Sequence, residues 1–207
     1  MKKILVITSA LLFTCAAASA HADSATYTVS VDTSSQAGNN GYVDFELNSG
    51  TFGAADITAT VSGFSGATLI PGDPNNDAIN TVGTLPGDVT FDNQTGNDYF
   101  EALTFGNSVS FDVTLSGAGL STSGSAGSLS GTDFEVSFLD PSMSTFLFSN
   151  GDPAAAVIEV AADGTPTTEA ESGTVVAAPT PEPATLSLLA LGGVLMGAER
   201  WRKRQAA

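Results

Sequence analysis

The sequence predicts an all-β protein whose body is an antiparallel, jelly-roll-like β-sandwich, flanked by an N-terminal signal peptide and a single C-terminal hydrophobic helix. Three observations predict this class. Apolar residues alternate with Thr, Ser, Asp and Glu in short runs, the intervening turns are rich in Gly, Asn, Asp and Pro, and the body has no helical period. Strands with one apolar face need a second sheet to cover them, which makes a sandwich the expected architecture.

The first 22 residues have the layout of a secretory signal peptide. Lys2 and Lys3 precede an apolar stretch at residues 4–18, and small residues at 18–22 provide an A-x-A cleavage site. The apolar stretch is short for a membrane span. We therefore expect export of the chain and removal of residues 1–22, together with Cys15, the only cysteine.

Residues 23–161 are predicted to form the β-sandwich domain. Between residues 117 and 131 the chain is rich in Ser and Gly, which predicts a long flexible loop between two strands. A last apolar run, residues 156–161, alternates less regularly. The clearly alternating runs are Tyr27-Val29-Val31, Val43-Phe45-Leu47, Ile57-Ala59-Val61, Val89-Phe91, Val109-Phe111-Val113-Leu115, Phe134-Val136-Phe138 and Phe146-Phe148.

The body is purely anionic. Residues 23–181 contain no Lys, Arg, His or Cys. They hold 20 of the 22 Asp and Glu residues of the chain, and the other two are Glu182 and Glu199. Self-repulsion should keep such a chain soluble. Nucleic acid is not an expected partner, because no cation is present to replace the phosphate counterions. Without cysteine, the stability of an exported domain has to come from its core.

The composition also argues against several kinds of active site, although an Asp or Glu could in principle serve as a base for a Ser or Thr nucleophile. Ser and Thr nucleophiles have no His or Lys base, zinc has no His or Cys ligands, and no Gly-rich loop opens a helix to hold a phosphate. Glycoside hydrolysis needs only two carboxylates, so it remains open. The body has no Trp to serve as a sugar platform, however, and we expect no catalytic residues and no enzyme activity.

Two oxygen-rich loops are candidate Ca²⁺ sites, and Ca²⁺ is the one cofactor that the composition leaves open. Hard cations bind clusters of carboxylate and amide oxygens. The alternative is ordinary turn chemistry, since Asn and Asp favour turns. The first loop is not an EF-hand, because Ala78 stands where Gly is required. The candidate ligands are Asp73, Asn75 and Asp77 in the first loop and Asp92, Asn93, Asn97 and Asp98 in the second.

Residues 162–180 lose the alternation and are rich in Thr, Pro, Glu, Ala and Gly. This composition predicts an extended, charged linker between the sandwich and the C-terminal segment.

The C-terminal segment, residues 181–207, has three parts. Pro181-Glu182-Pro183 holds the backbone extended, an apolar run at 184–198 predicts a hydrophobic helix, and a basic cluster follows at 200–204. The helix would be roughly 22 Å long at 1.5 Å per residue, which is short for a membrane span. The positive-inside rule places the basic cluster in the cytoplasm and the body outside. The cluster consists of Arg200, Arg202, Lys203 and Arg204.

This tail resembles the PEP-CTERM sorting signal of exported bacterial proteins. The match consists of the motif and the residues after it, 181–186, the Leu191-Gly192-Gly193 segment and the basic cluster, with Glu199 as a small departure. The resemblance implies processing near the motif by an exosortase, an inner-membrane cysteine protease, in a cell that makes exopolysaccharide. A plain C-terminal membrane anchor is the alternative. The body also resembles a group of PEP-CTERM proteins without an established role, through the segments 31–34, 41–45, 85–93, 97–100 and 104–106.

We therefore expect an exported, non-enzymatic cell-surface or extracellular-matrix protein that is anchored transiently in the inner membrane and then cleaved. Its expected partners are an exosortase, the membrane before cleavage, and exopolysaccharide. The alternative is a carbohydrate-binding or adhesion module, by fold analogy, and a glycoside hydrolase is a third reading. Selective binding on a glycan array would distinguish the module from a spacer.

Overall fold

The computed structural model describes residues 24–50, 55–120, 131–149, 151, 153–161, 164–169 and 175–180, and these ranges are all-β apart from two short 3₁₀ turns, Ser34–Gln36 and Ala118–Leu120. Twelve described strands form one continuous antiparallel sheet. The strands are β1 (Ser24–Asp32), β2 (Asn40–Ser49), β3 (Thr58–Leu69), β4 (Asp77–Ile79), β5 (Val82–Gly83), β6 (Val89–Asp92), β7 (Asp98–Ser116), β8 (Thr132–Leu139), β9 (Phe146–Leu147), β10 (Ala156–Val160), β11 (Pro166–Glu169) and β12 (Val175–Thr180).

The sheet folds onto itself at a bend that β3 and β7 share. Along one edge, β7 pairs first with β2 through residues 99–104 and then with β1 through residues 108–116. Along its other edge β7 pairs with β3, whose register shifts between Ser62 and Ala67. The first half of the sheet contains β12, β1, β6 and β5 around the C-terminal part of β7. The second half contains β4, β2, β8, β9, β10 and β11 around its N-terminal part.

Glycine is required where the two backbones cross at this bend. Gly66 has a φ of +87°, and a Cβ atom there would overlap the carbonyl oxygen of Ser108. A Cβ atom at Gly106 would overlap the carbonyl oxygen of Gly66. Buried Thr33 holds the other edge of β7 at the bend. Its amide donates to the Asn107 carbonyl oxygen at 3.1 Å, and its hydroxyl donates to the Gly106 carbonyl oxygen at 2.8 Å.

The inner faces of the two halves meet in an aromatic core centred on Phe45. The Phe45 ring, on β2, is 5.1 Å from Phe111 on β7 and 6.5 Å from Phe91 on β6, measured between centroids. Phe134 on β8 also contacts Phe91, at 5.9 Å. All four rings are fully buried. Rings from opposite halves thus fill the space between them, and the predicted all-β, sandwich-like fold is confirmed; the jelly-roll-like order stays a prediction.

Six of the predicted alternating runs coincide with β1, β2, β3, β6, β7 and β8, and the less regular run with β10. Their alternating apolar side chains are buried. The run at Phe146 and Phe148 differs, because β9 ends at Leu147 and Phe148 has a φ of +58°. As a result, Phe146 is 43% exposed, while Phe148 still packs on the core with its ring 5.6 Å from Phe105.

Two stretches of the predicted linker, residues 162–180, are paired strands. β11 pairs with β10, and β12 pairs with β1 from Val31 to Thr26. Neither stretch has strand alternation, and each lies along a strand edge that would otherwise be free. Domain boundaries at residues 161 and 181 stay predictions. The signal peptide, residues 121–130 of the predicted loop and the sorting signal lie outside the described residues, and inside them no helix is long and apolar enough to cross a membrane.

The central position of Phe45 gives a stability prediction. Phe45→Ala should lower the free energy of unfolding by about 3–5 kcal/mol, because it leaves a cavity among rings from both halves. Phe146→Ala makes the same chemical change at an exposed site and should cost less than about 1 kcal/mol. Urea denaturation of the two variants measures both values, and equal losses would contradict a core centred on Phe45.

Candidate functional site

The predicted sorting residues lie outside the described residues. They are Pro181, Glu182 and Pro183 of the motif and Arg200, Arg202, Lys203 and Arg204 of the basic cluster. Their roles therefore stay predictions. β12 ends at Thr180, which pairs with Thr26 near the start of β1. The last described residue before the motif thus lies beside the start of β1, the strand that follows the predicted signal peptide in the sequence.

The first candidate metal loop forms a turn that holds Tyr42. Asp73 Oδ1 accepts the Asn75 amide at 2.9 Å, which is an Asx turn, and Asn75 Nδ2 donates to Tyr42 Oη at 2.9 Å. Asp77 Oδ1 accepts the amide of Ala78 at 2.8 Å. The structure therefore uses these side chains in local turn contacts.

In the second loop, Asn93 joins the two halves of the sheet. Its buried side chain accepts the Ile57 amide through Oδ1 at 2.9 Å. Its Nδ2 donates to the Ala55 carbonyl and to Thr132 Oγ1, both at 2.9 Å. Ile57 precedes β3 in the first half, and Thr132 begins β8 in the second. Asn93 thus satisfies backbone groups of one half while it bonds to the other.

Asn97 performs a similar role for β2. Its Oδ1 accepts the Leu47 amide at 2.8 Å, and its Nδ2 donates to the Leu47 carbonyl at 2.9 Å. The same nitrogen lies 3.1 Å from the carbonyl oxygens of Asp92 and Thr95. The side-chain amide therefore pairs with Leu47 as a neighbouring strand residue would, and closes the loop between β6 and β7.

The remaining carboxylates of this loop point to different partners. Asp92 Oδ1 accepts the Gln94 amide at 2.8 Å, whereas Asp98 interacts with Asp44 on β2. Among the residues that the structure describes, no group of three or more His, Cys, Asp or Glu side chains is arranged to hold a metal ion. Calcium binding stays a prediction, and its ligands would have to come mainly from carboxylates, because both buried amides already have backbone partners.

The Asp44 and Asp98 carboxyl groups interact electrostatically on the outer face of the second half. Asp44 lies opposite Phe100 on β7 and Ser137 on β8. The Oδ1 atoms of both aspartates are buried and accept no hydrogen bond from any described residue. Because residues 23–181 contain no basic side chain, a shared proton is what can neutralise this pair.

On the outer face around this pair, burial and like charge raise the pKa values of several aspartate carboxyl groups. Burial, followed by the charges of Asp98, Glu46 and Glu135, raises the pKa of Asp44 to about 8. Burial also raises the pKa of Asp98 and of Asp133. Glu46 and Glu135 are direct cross-strand partners on β2 and β8, an arrangement that is unfavourable when both are charged. This face therefore binds protons that isolated carboxylates would release.

The sequence prediction missed the Asp44–Asp98 pair, because only the strand register brings the two residues together. The chain matches no protein-family model, no curated protein and no solved structure at the level that indicates common ancestry. Its function therefore has to be argued from its own residues.

The buried amides give a second stability prediction. Asn97→Ala should lower the free energy of unfolding by about 2–4 kcal/mol, since the Leu47 amide and carbonyl lose their partner in a buried site. Asn39→Ala is the matched control, because its exposed side chain bonds only to Gln36 among the described contacts. Thermal denaturation measures the difference, and a neutral Asn97→Ala variant would show that this loop does not depend on the amide.

The Asp44–Asp98 pair predicts an unusual dependence of stability on pH. The pKa of Asp44 is about 8 in the folded chain, above its ordinary value of 3.8, so the folded state holds more protons between these values. The free energy of unfolding should therefore be highest at pH values of 3.8 and below. It should fall as the pH rises towards about 8 and level off above that pH. The raised pKa values of Asp98, Glu101 and Asp133 act in the same direction.

Asp44→Asn should remove much of this slope and raise stability at pH 8, by an amount on the order of 2–3 kcal/mol. Asp56→Asn removes an equal charge from an exposed position and should leave the slope unchanged. Melting temperatures measured from pH 4 to pH 9 test this. Stability that rises with pH in the wild-type chain would contradict a shared proton.

Proposed function

We propose that this chain is an exported, non-enzymatic cell-surface or extracellular-matrix protein that an exosortase cleaves near Pro181-Glu182-Pro183. The observation that carries the proposal is the order of the C-terminal parts. A proline motif, an apolar run and a basic cluster follow one another, and the remainder of the exported chain has no basic residue at all. Until cleavage, the apolar helix and the basic cluster hold the chain at the inner membrane.

The sequence of the motif supports access by a protease. The last described strand, β12, pairs along β1 up to Thr180, which directly precedes Pro181 in the sequence. Pro181 and Pro183 favour an extended backbone at the motif, before the predicted helix at residues 184–198. An extended segment directly after a paired strand is a conformation that a protease groove accepts.

The charge of the body supports delivery to the cell surface or to exopolysaccharide. With no cation between residues 23 and 181, the released domain has no electrostatic attraction to anionic lipid headgroups. The same self-repulsion opposes aggregation at high local concentration. The domain is therefore suited to act as a soluble anionic building block outside the membrane.

The composition supports a non-enzymatic role. Residues 23–181 contain no His or Lys base for a Ser or Thr nucleophile, and they contain no Trp to serve as a sugar platform.

Co-expression with an exosortase tests the proposal. The mature extracellular protein should lack every peptide that contains Trp201, while cells without the exosortase should retain the full-length chain in the membrane fraction. Glu182→Ala should abolish this processing. Pro179→Ala, a change just outside the motif, should be processed normally. Mass spectrometry of the secreted protein reads the outcome, and Trp201 peptides on the extracellular form would refute the proposal.

A further inference from the structure

A cavity of about 540 Å³ lies in the second half of the sheet, where β3 ends beside β7. Its size is within the range of about 300–1,000 Å³ that is usual for small-molecule sites. Ala67, Leu69, Leu85 and Pro86 give it apolar walls, and Glu101 supplies a carboxylate. None of the residues predicted from the sequence to form a site lines this cavity.

The Glu101 carboxylate is held in a fixed position. Tyr99 Oη donates to Glu101 Oε2 at 3.1 Å, and Asn76 Nδ2 donates to Oε1 at 2.8 Å. Tyr99 is itself fixed, because its buried hydroxyl accepts the Leu85 amide at 2.9 Å. Burial raises the pKa of Tyr99 to about 12, which keeps the phenol a neutral donor at ordinary pH.

Asn76 is held as firmly as Tyr99. Its Oδ1 accepts the Ala102 amide at 2.8 Å, and its Nδ2 also donates to the Ile70 carbonyl at 3.2 Å. The loop that lines the cavity is thereby tied to the backbone of β7. Hydrogen bonds within the protein thus hold the cavity and the carboxylate in place before a ligand arrives. This lowers the free-energy cost of ordering these side chains on binding.

The carboxylate retains acceptor capacity and an uncompensated charge. A carboxylate can accept about four hydrogen bonds, and Glu101 receives two from the side chains described above. Burial raises the pKa of Glu101, the hydrogen bond from Tyr99 lowers it, and the nearby charge of Asp73 raises it, with a net upward shift. No basic side chain between residues 23 and 181 can offset that charge.

We propose that this cavity binds a small organic cation, a primary ammonium group carried on a compact apolar body. An ammonium group has three donors and no acceptor, so it matches the remaining acceptor positions of Glu101. The apolar body would pack against Leu69, Leu85 and Pro86. A calcium ion fits less well, because it requires six or more oxygen ligands and, of the described residues, Glu101 alone lines the cavity with a carboxylate.

This inference goes beyond the proposed sorting function and does not rest on it. Exosortase processing concerns the motif at residues 181–183, whereas the cavity belongs to the described sheet, so either proposal can fail alone.

The test compares three probes by NMR titration of the intact mature protein at neutral pH: cyclohexylammonium, cyclohexanol, which has the same ring, and glucose. Cyclohexylammonium should shift the amide signals of residues that line the cavity, and cyclohexanol should bind at least roughly tenfold more weakly. Binding should weaken as the pH falls, because protonation of Glu101 removes the charge that attracts the ammonium group.

Three variants sharpen the test. Glu101→Gln keeps the shape and removes the charge, and should weaken cyclohexylammonium binding roughly tenfold or more. Ala67→Leu fills the cavity, keeps the charge and should also weaken binding. Asp56→Asn, an exposed change of equal charge, should bind as the wild-type protein does. Melting temperatures confirm that each variant is folded.

Equal binding of cyclohexanol, shifts that map outside the cavity, or unchanged binding by folded Glu101→Gln would each overturn the proposal. Tighter binding of glucose than of cyclohexylammonium would overturn it as well and would assign the cavity to neutral sugars. The comparison of probes on the wild-type protein remains decisive even where a variant does not fold.

Discussion

Between residues 23 and 181 no side chain carries a positive charge, so buried polar groups in this domain can be satisfied only by neutral donors or by protons. Neutral side chains make the hydrogen bonds that hold the structure together. Asn93 and Asn97 fasten loops to strands in both halves of the sheet, and Thr33 bonds to the bend in β7. Around Asp44 and Asp98, burial and like charge instead raise the pKa of Asp44 to about 8, which favours its protonated form.

The lack of basic side chains also matters for the outer face of the sheet, where the architecture brings carboxyl groups together. Because β3 and β7 bend together, one sheet supplies both layers, and the aromatic core around Phe45 occupies the space between them. Alternation then places every second residue of β2 and β8 outside. Those outer positions include Asp44, Glu46 and Glu135, so the strand pairing that buries the rings also concentrates like charges.

This arrangement ties the stability of the domain to the proton concentration of its surroundings. The absence of cations also makes the few positioned carboxylates, Glu101 above all, the natural contacts for positively charged partners. The sorting and the ligand binding that we propose would use separate parts of the chain, since the basic residues are confined to its ends.

The sequence by itself determined the all-β class and most of the buried strand positions, because alternation is a local property that each strand displays on its own. It did not reveal the bend at Gly66 and Gly106, since the close approach of two backbones there has no local signature. It also could not show that Asn97 pairs with Leu47, 50 residues away, or that Asp44 meets Asp98. Those contacts depend on strand register, and register is decided by the tertiary packing of the apolar faces.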